Sequence, residues 1–179
     1  MSNTILTGEV AADILAAMQK AGLNGWEMFV PEGVEEIAPG AFAGMKNLRR
    51  VQLPKTLRRI GAAAFYGCEN LTQITLPAGL VELGTAAFKN SGLQEVSVPT
   101  RALKLGCEVF ADSALRCAEI KGRQTGEAMF RGCRQLAKVQ LNSNTRKIEA
   151  GMFRDCAALK TLRLPEKLEQ IGIEAFAGC

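Results

Sequence analysis

The sequence predicts an α/β repeat solenoid, a stack of short coils that share one elongated core. Three observations carry the prediction. A phenylalanine recurs about every 23 residues, a proline keeps a fixed distance from it, and an L-x-x-V-x-L apolar pattern lies between them. At 179 residues and 47% hydrophobic content the chain has ample material for a core, while 18 glycines fit many tight corners.

The first element is a helix. From Thr7 as N-cap, with Glu9 in the first turn, apolar residues recur at Val10, Ile14, Ala17, Met18 and Ala21, and Lys20 with Gly22 marks the stop. A solenoid exposes core at each open end, so this amphipathic segment is expected to cap the first coil, giving a capping helix over 1–24 and a solenoid over 25–179.

The coils follow. Phe42, Phe65, Phe88, Phe110, Phe130, Phe153 and Phe176 are separated by 23, 23, 22, 20, 23 and 23 residues. The first six open full units, Met28 to Ala41 is the second half of one more, and Phe176 opens a truncated one. Pro31, Pro54, Pro77, Pro99 and Pro165 each stand 11 residues before a clock phenylalanine. The consensus reads F-x-G-C-x-x-L-x-x-V-x-L-P-x-x-L-x-x-I-G-x-x-A. Two units depart from it. The unit from Phe110 is three residues short and lacks both the proline and the Ile-Gly pair; in the next, Asn142 stands in the proline slot and Glu149 in the glycine slot.

Each position has a physical reason. Val51 and Leu53, Ile74 and Leu76, Val96 and Val98, Val139 and Leu141, and Leu162 and Leu164 alternate with polar residues, the period of a strand with one buried face. Proline then ends the ladder because it has no N–H to donate. A second apolar pair at three-residue spacing, such as Leu57 with Ile60 or Leu168 with Ile171, brings the chain back along another side. Glycine at Gly61, Gly84, Gly106 and Gly172 is expected to permit a tight corner, and the large ring fills the wide side of the coil. The short unit predicts either a kink that shapes a pocket or drift absorbed by loops on the return side.

The proline-terminated strand followed by a G-x-x-A-F turn resembles the BspA-like leucine-rich repeat family, over about Met28 to Cys179. That resemblance implies a right-handed superhelix with a parallel concave β-sheet and short helical or irregular convex turns. It also implies a non-catalytic scaffold that binds protein, or glycan, on its concave face, adhesin-like in the family's surface members. A purely structural module of a larger or self-associating assembly is the alternative, with self-association through the uncapped C-terminal end.

Composition removes other classes. With no histidine, a Ser-His-Asp triad, a Cys-His pair and a His-containing zinc site are excluded. No phosphate-binding glycine loop occurs, so the reading is no enzyme and no cofactor. A net charge of +4, with no charge track or aromatic ladder, does not suggest nucleic acid. No apolar run approaches the roughly 20 residues of a membrane helix. The absent basic leader and unpaired-looking cysteines point to the cytoplasm, and the family's surface members to the cell surface or outside.

Four of the six cysteines, Cys68, Cys133, Cys156 and Cys179, share one slot with Met45, Ser91 and Ser113. This reads as a half-buried structural spacer, with metal or redox use as the alternative. Parallel Cβ vectors at the strand spacing of about 4.8 Å sit wider than the roughly 3.8 Å of a disulfide. Cys107 and Cys117 lie off the register, Cys117 on a solvent-facing strand position where it is the thiol expected to react, or is simply exposed.

The candidate binding residues are the outward strand positions. One row holds Phe29, Gln52, Thr75, Ser97, Glu119, Gln140 and Arg163. A flanking row holds Trp26, Arg49, Thr72, Gln94, Arg116, Ala137 and Lys160, and the next Glu27, Arg50, Gln73, Glu95, Cys117, Lys138 and Thr161. Trp26 and Phe29 occupy slots that are polar in later units: either a partner anchor or residues covered by the capping helix.

Overall fold

The computed structural model describes residues 4–20 and 27–179. Most coils contribute two short strands, and each strand pairs in parallel with an equivalent one coil away. On the face predicted from L-x-x-V-x-L, Glu27–Phe29, Arg50–Gln52 and Gln73–Ile74 form one sheet, and Glu95–Val98, Cys117–Ile120 and Lys138–Gln140 another. The Gln94 N–H donates to the Thr72 carbonyl at 3.2 Å, bridging the two.

The return segment is itself a ladder. Thr4–Leu6, Val34–Ile37, Arg59–Ile60, Glu82–Leu83 and Lys104–Leu105 make a five-stranded parallel sheet, and Lys147–Ile148 pairs with Gln170–Ile171. Its charges alternate in register along Glu36, Arg59, Glu82 and Lys104. Arg59 meets Glu36 at 2.6 Å, and that hydrogen bond raises the guanidinium pKa.

The phenylalanine turns supply a third set of inter-coil bonds. N–H groups two before, at and two after the clock residue donate to the next coil, as in Gly40 to Ala62 at 2.9 Å, Phe42 to Ala64 at 2.8 Å and Gly44 to Tyr66 at 2.7 Å. Aiming alternate amides this way places two residues per coil at positive φ. The later one is Gly, Asn or Asp throughout, which tolerate that region. The earlier is Ala63, Ala86, Glu108, Ala128 or Glu174 in five coils, at φ between 48° and 55°. For the first four, hydrogen bonds from their N–H groups to the next coil offset that strain, and both glutamates gain ion pairs: Glu108 with Lys89 at 2.9 Å and Arg131 at 3.3 Å, and Glu174 with Arg154.

The consensus glycines serve a different purpose from the one expected. None of Gly61, Gly84, Gly106 and Gly172 has positive φ; instead a Cβ there would meet backbone of the preceding coil, at 2.4 Å from the Ala62 nitrogen for Gly84. They are close-approach positions.

Inside, the seven clock rings stack face to face at centroid separations of 4.9 to 5.8 Å, and the first six are fully buried. Val51, Leu76, Val96 and Val98 are buried and Leu53, Ile74, Val139, Leu141 and Leu162 partly so. Leu164 departs from the expectation at 47% exposed, as does Ile171 at 49%.

The N-terminal helix spans Gly8–Lys20, and the Thr7 hydroxyl caps it by accepting from the Val10 N–H at 3.4 Å. Among its described side chains Ala11 is buried and Ile14 packs half-buried against the core, whereas Val10, expected on the apolar face, is exposed. Ala21 and Gly22 lie outside the described residues, as do the side chains of Ala17 and Met18.

The short coil is absorbed on the return side. Cys117–Ile120 keeps its register with both neighbours, while the return ladder stops at Leu105 and resumes at Lys147. Side chains patch the gap. Thr125 donates to the Lys147 carbonyl at 2.9 Å, and Asn142 donates from Nδ2 to the Lys121 carbonyl at 2.7 Å. The proline slot otherwise offers only its carbonyl to a turn, as Pro77 does to the Leu80 N–H at 3.0 Å. Asn142 keeps that role toward Thr145 at 3.0 Å and adds the side-chain bond.

Candidate interaction face

A strand that buries every second residue leaves the alternate ones for solvent, and stacking puts them in rows. The register aligns Glu27, Arg50 and Gln73; Phe29 and Gln52; Glu95, Cys117 and Lys138; and Ser97, Glu119 and Gln140. Backbone bonds from Thr72 to Arg49, Gln94 to Thr72, Arg116 to Gln94 and Ala137 to Arg116 align the remaining row. Arg49, Arg50, Gln52, Thr72, Gln73, Thr75, Gln94, Glu95, Arg116, Lys138, Gln140, Lys160 and Arg163 are exposed, and Ser97 and Glu119 half-buried. Phe29 is 57% exposed. Trp26 lies outside the described residues.

Some of these side chains hold one another. Arg50 reaches Glu27 at 3.4 Å and donates to Gln73 at 3.2 Å. Ser97 donates to Glu119 at 2.7 Å, and Lys121 pairs with the same carboxylate at 3.4 Å.

The face is indented along its length. A depression of about 640 Å³ lies around Phe29, Gln52, Leu53, Thr75 and Pro77. A second of about 700 Å³ spans Glu95, Ser97, Cys117, Lys138 and Gln140. The third, about 660 Å³, lies at the strand ends beside the short coil, lined by Thr100, Lys121, Gln140, Asn142, Ser143, Arg163 and Glu166. Thr100, Lys121, Asn142 and Ser143 are additions to the predicted rows. The signal that could have found them is the joint loss of the proline in one unit and its replacement in the next. One further depression, about 730 Å³, lies on the turn side around Tyr66, Asn90 and Arg134.

The cysteine slot is more buried than the half-buried spacer expected. Cys68, Cys133 and Cys156 are fully enclosed, and each thiol donates at 3.1 Å to the carbonyl of Phe42, Phe110 and Phe130 in the coil before; Cys179 does the same to Phe153. The slot is a buried tether between coils. Burial pushes the Cys68 thiol up to about 12 and Cys133 to about 11, and raises Cys156 as well, which keeps them protonated and unreactive. Ser113 uses the slot differently, donating to its own coil's Phe110 carbonyl at 2.7 Å, and the Ser91 hydroxyl finds no partner. Off the register, Cys107 is the exposed thiol and Cys117 is half-buried, the reverse of the expected ranking. Partial burial and then the carboxylates of Glu127 and Glu108 raise the Cys107 pKa, which disfavours its thiolate. Among the described residues no set of three or more Cys, Asp or Glu is placed to hold a metal ion, and no helix is long and apolar enough to cross a membrane.

Parallel strands one coil apart, a stacked phenylalanine spine and an outward polar strand face define a leucine-rich repeat solenoid. Six copies of the BspA-type leucine-rich repeat region match over residues 23–125 and 68–179, and the chain belongs to that family. Among solved structures, a leucine-rich repeat protein from Bacteroides ovatus is 27% identical with a TM-score of 0.71, over 82% of this chain and 39% of that one. The T. pallidum leucine-rich repeat protein is 25% identical at a TM-score of 0.66, over 86% and 63%. One from Eubacterium ventriosum shares the fold at 24% identity and a TM-score of 0.65, over 86% and 42%. The chain thus spans between about two fifths and under two thirds of the length of these proteins. No curated protein matches it in sequence.

Proposed function

We propose that this chain is a non-catalytic interaction scaffold whose strand face receives a protein partner, in the adhesin-like manner that its family suggests. The observation that carries the reading is the coincidence of three depressions with the outward strand rows. Backbone ladders and the buried spine hold the coils together, so side chains such as Gln52, Thr75, Lys138 and Arg163 are spared for recognition. A glycan is the other ligand these long polar groups suit. Residues 1–24 act as a cap on the first coil, a role supported by the burial of Ala11.

Selection from a random peptide library on the native protein tests the reading. Selected peptides should lose binding to an Arg49→Glu, Lys138→Glu, Arg163→Glu variant and keep it with charge reversals at Arg101, Arg123 and Lys167. Unchanged binding to the first variant would remove the strand face as the site.

A second reading, a structural module that associates end to end, is favoured by the exposed Leu164, Ile171 and Ile173 on the last coil. Sedimentation velocity decides it: a monomer at every concentration argues against, and reversible growth with concentration argues for it.

A further inference from the structure

The charge of the strand face is unevenly satisfied. Its three rows hold six cations, Arg49, Arg50, Arg116, Lys138, Lys160 and Arg163, against three carboxylates, Glu27, Glu95 and Glu119, so +3 of the chain's +4 lies there. Two of those carboxylates are engaged on the face itself, Glu27 by Arg50 and Glu119 by Lys121 and Ser97. Glu95 stands two strands from Lys138, and Glu166 lines the terminal depression with Arg163 without pairing to it.

The cations divide into two groups. Toward the N-terminus Arg50 is paired. Toward the C-terminus, among the described residues, Lys138, Lys160 and Arg163 have no carboxylate within ion-pair distance, and Arg116 bonds only the neutral Gln135 at 3.3 Å. The other faces balance many of theirs: Arg59 with Glu36, Lys89 and Arg131 with Glu108, and Lys147 with Glu149. Four cations without a carboxylate thus lie on three successive coils, beside two of the depressions.

Resting on the reading of the strand face as the interaction surface, we propose that its C-terminal half binds an extended acidic peptide segment of a partner protein. The segment crosses the strands with carboxylates set against Arg116, Lys138, Lys160 and Arg163. Coils stack at about 4.8 Å and an extended chain advances about 3.3 Å per residue, so acidic residues two apart meet cations on successive coils. Flexible Lys and Arg side chains absorb the mismatch of roughly 2 Å. The cations without a carboxylate also speed the encounter with such a segment, in a salt-dependent way.

Fluorescence anisotropy with three labelled probes tests this: a twelve-residue Glu/Asp-rich peptide carrying two leucines, the same peptide with Lys in place of its acidic residues, and a twelve-nucleotide single-stranded DNA. The acidic peptide should bind, weaken as salt rises from 50 to 200 mM, and bind at least about tenfold more weakly to an Arg116→Gln, Lys138→Gln, Lys160→Gln, Arg163→Gln variant. An Arg101→Gln, Arg123→Gln, Lys167→Gln variant should match the native protein. Tighter binding of the DNA, equal binding of the basic peptide, or no effect of the fourfold variant overturns the proposal. The peptide-library selection separates the two failures. Non-acidic winners on the strand face sink this inference alone, and winners that bind elsewhere sink the scaffold reading with it.

Discussion

Gly84 and Ala86 stand two residues apart in one turn, and their exchange of conventional roles gives the sharpest prediction of the architecture. At Gly84 a Cβ would lie 2.4 Å from the Ala62 nitrogen and 2.6 Å from the Gly61 carbonyl carbon. Ordinary contact is about 3.5 Å, so Gly84→Ala must part the two coils by about 1 Å. That separation stretches the 2.8 Å bond from the Gly84 N–H to the Ile60 carbonyl beyond hydrogen-bonding range. The lost bond costs about 1 kcal/mol and the overpacking about 2 kcal/mol, near 3 kcal/mol together. For a domain of this size that lowers Tm by roughly 6–12 °C. Ala86 already sits at φ 54°. Ala86→Gly relieves about 1 kcal/mol of left-handed strain and loses about as much to unfolded-state entropy, so stability moves by less than about 0.5 kcal/mol. Urea unfolding of both variants checks the pair. A Gly84→Ala protein within about 1 kcal/mol of native, or an Ala86→Gly protein less stable than native by more than about 1 kcal/mol, contradicts the assignment of close approach to Gly84 and strain to Ala86.

Other consequences follow from the same contacts. Ser91→Cys should stabilise by about 1 kcal/mol, because the longer Cys side chain reaches the Phe65 carbonyl as its equivalents reach theirs and the unpartnered hydroxyl is removed; an unchanged or lower urea midpoint contradicts it. The buried thiols make stability fall with alkali. Their folded pKa lies above the unfolded value of about 8.5, so their contribution is complete below that pH and is lost above it, on the order of 1 kcal/mol each by pH 9.5. Native protein should therefore lose roughly 3 kcal/mol more between pH 7.5 and 9.5 than a Cys68→Ser, Cys133→Ser, Cys156→Ser variant; equal losses count against the tether. Asn142→Ala should cost about 1 kcal/mol by freeing the Lys121 carbonyl, and a silent substitution would remove its role in patching the short coil.

The stack was legible in sequence because each coil repeats the same constraint. The clock phenylalanines, the alternation of Val51 with Leu53 and the proline register each needed one residue type at one spacing, and all recur. The reason for Gly84 was not legible: a glycine for positive φ and a glycine for close approach look alike, and only the neighbouring coil separates them. The positive φ of Ala63 and Ala86 left no trace either, since alanine carries no such preference and the inter-coil hydrogen bonds impose it. Burial of the cysteine slot was underestimated because Ser and Met share it, which reads as tolerance until the carbonyl one coil back is seen. The rows of the interaction face were readable because side-chain alternation and repeat length fix them. The depression at Thr100, Lys121 and Asn142 was not, since it arises where the short coil leaves the strand ends uncovered.

Hydroxyl-radical footprinting of the native protein with and without a library-selected peptide locates the surface that the peptide covers. Recognition by the strand face should protect Phe29, Leu53, Leu141, Arg163 or Leu164, with Tyr66 on the turn side and Leu103 on the return side labelled as in the free protein. Protection of Tyr66 or Leu103, with the strand face unchanged, would place recognition on another side of the solenoid and contradict it.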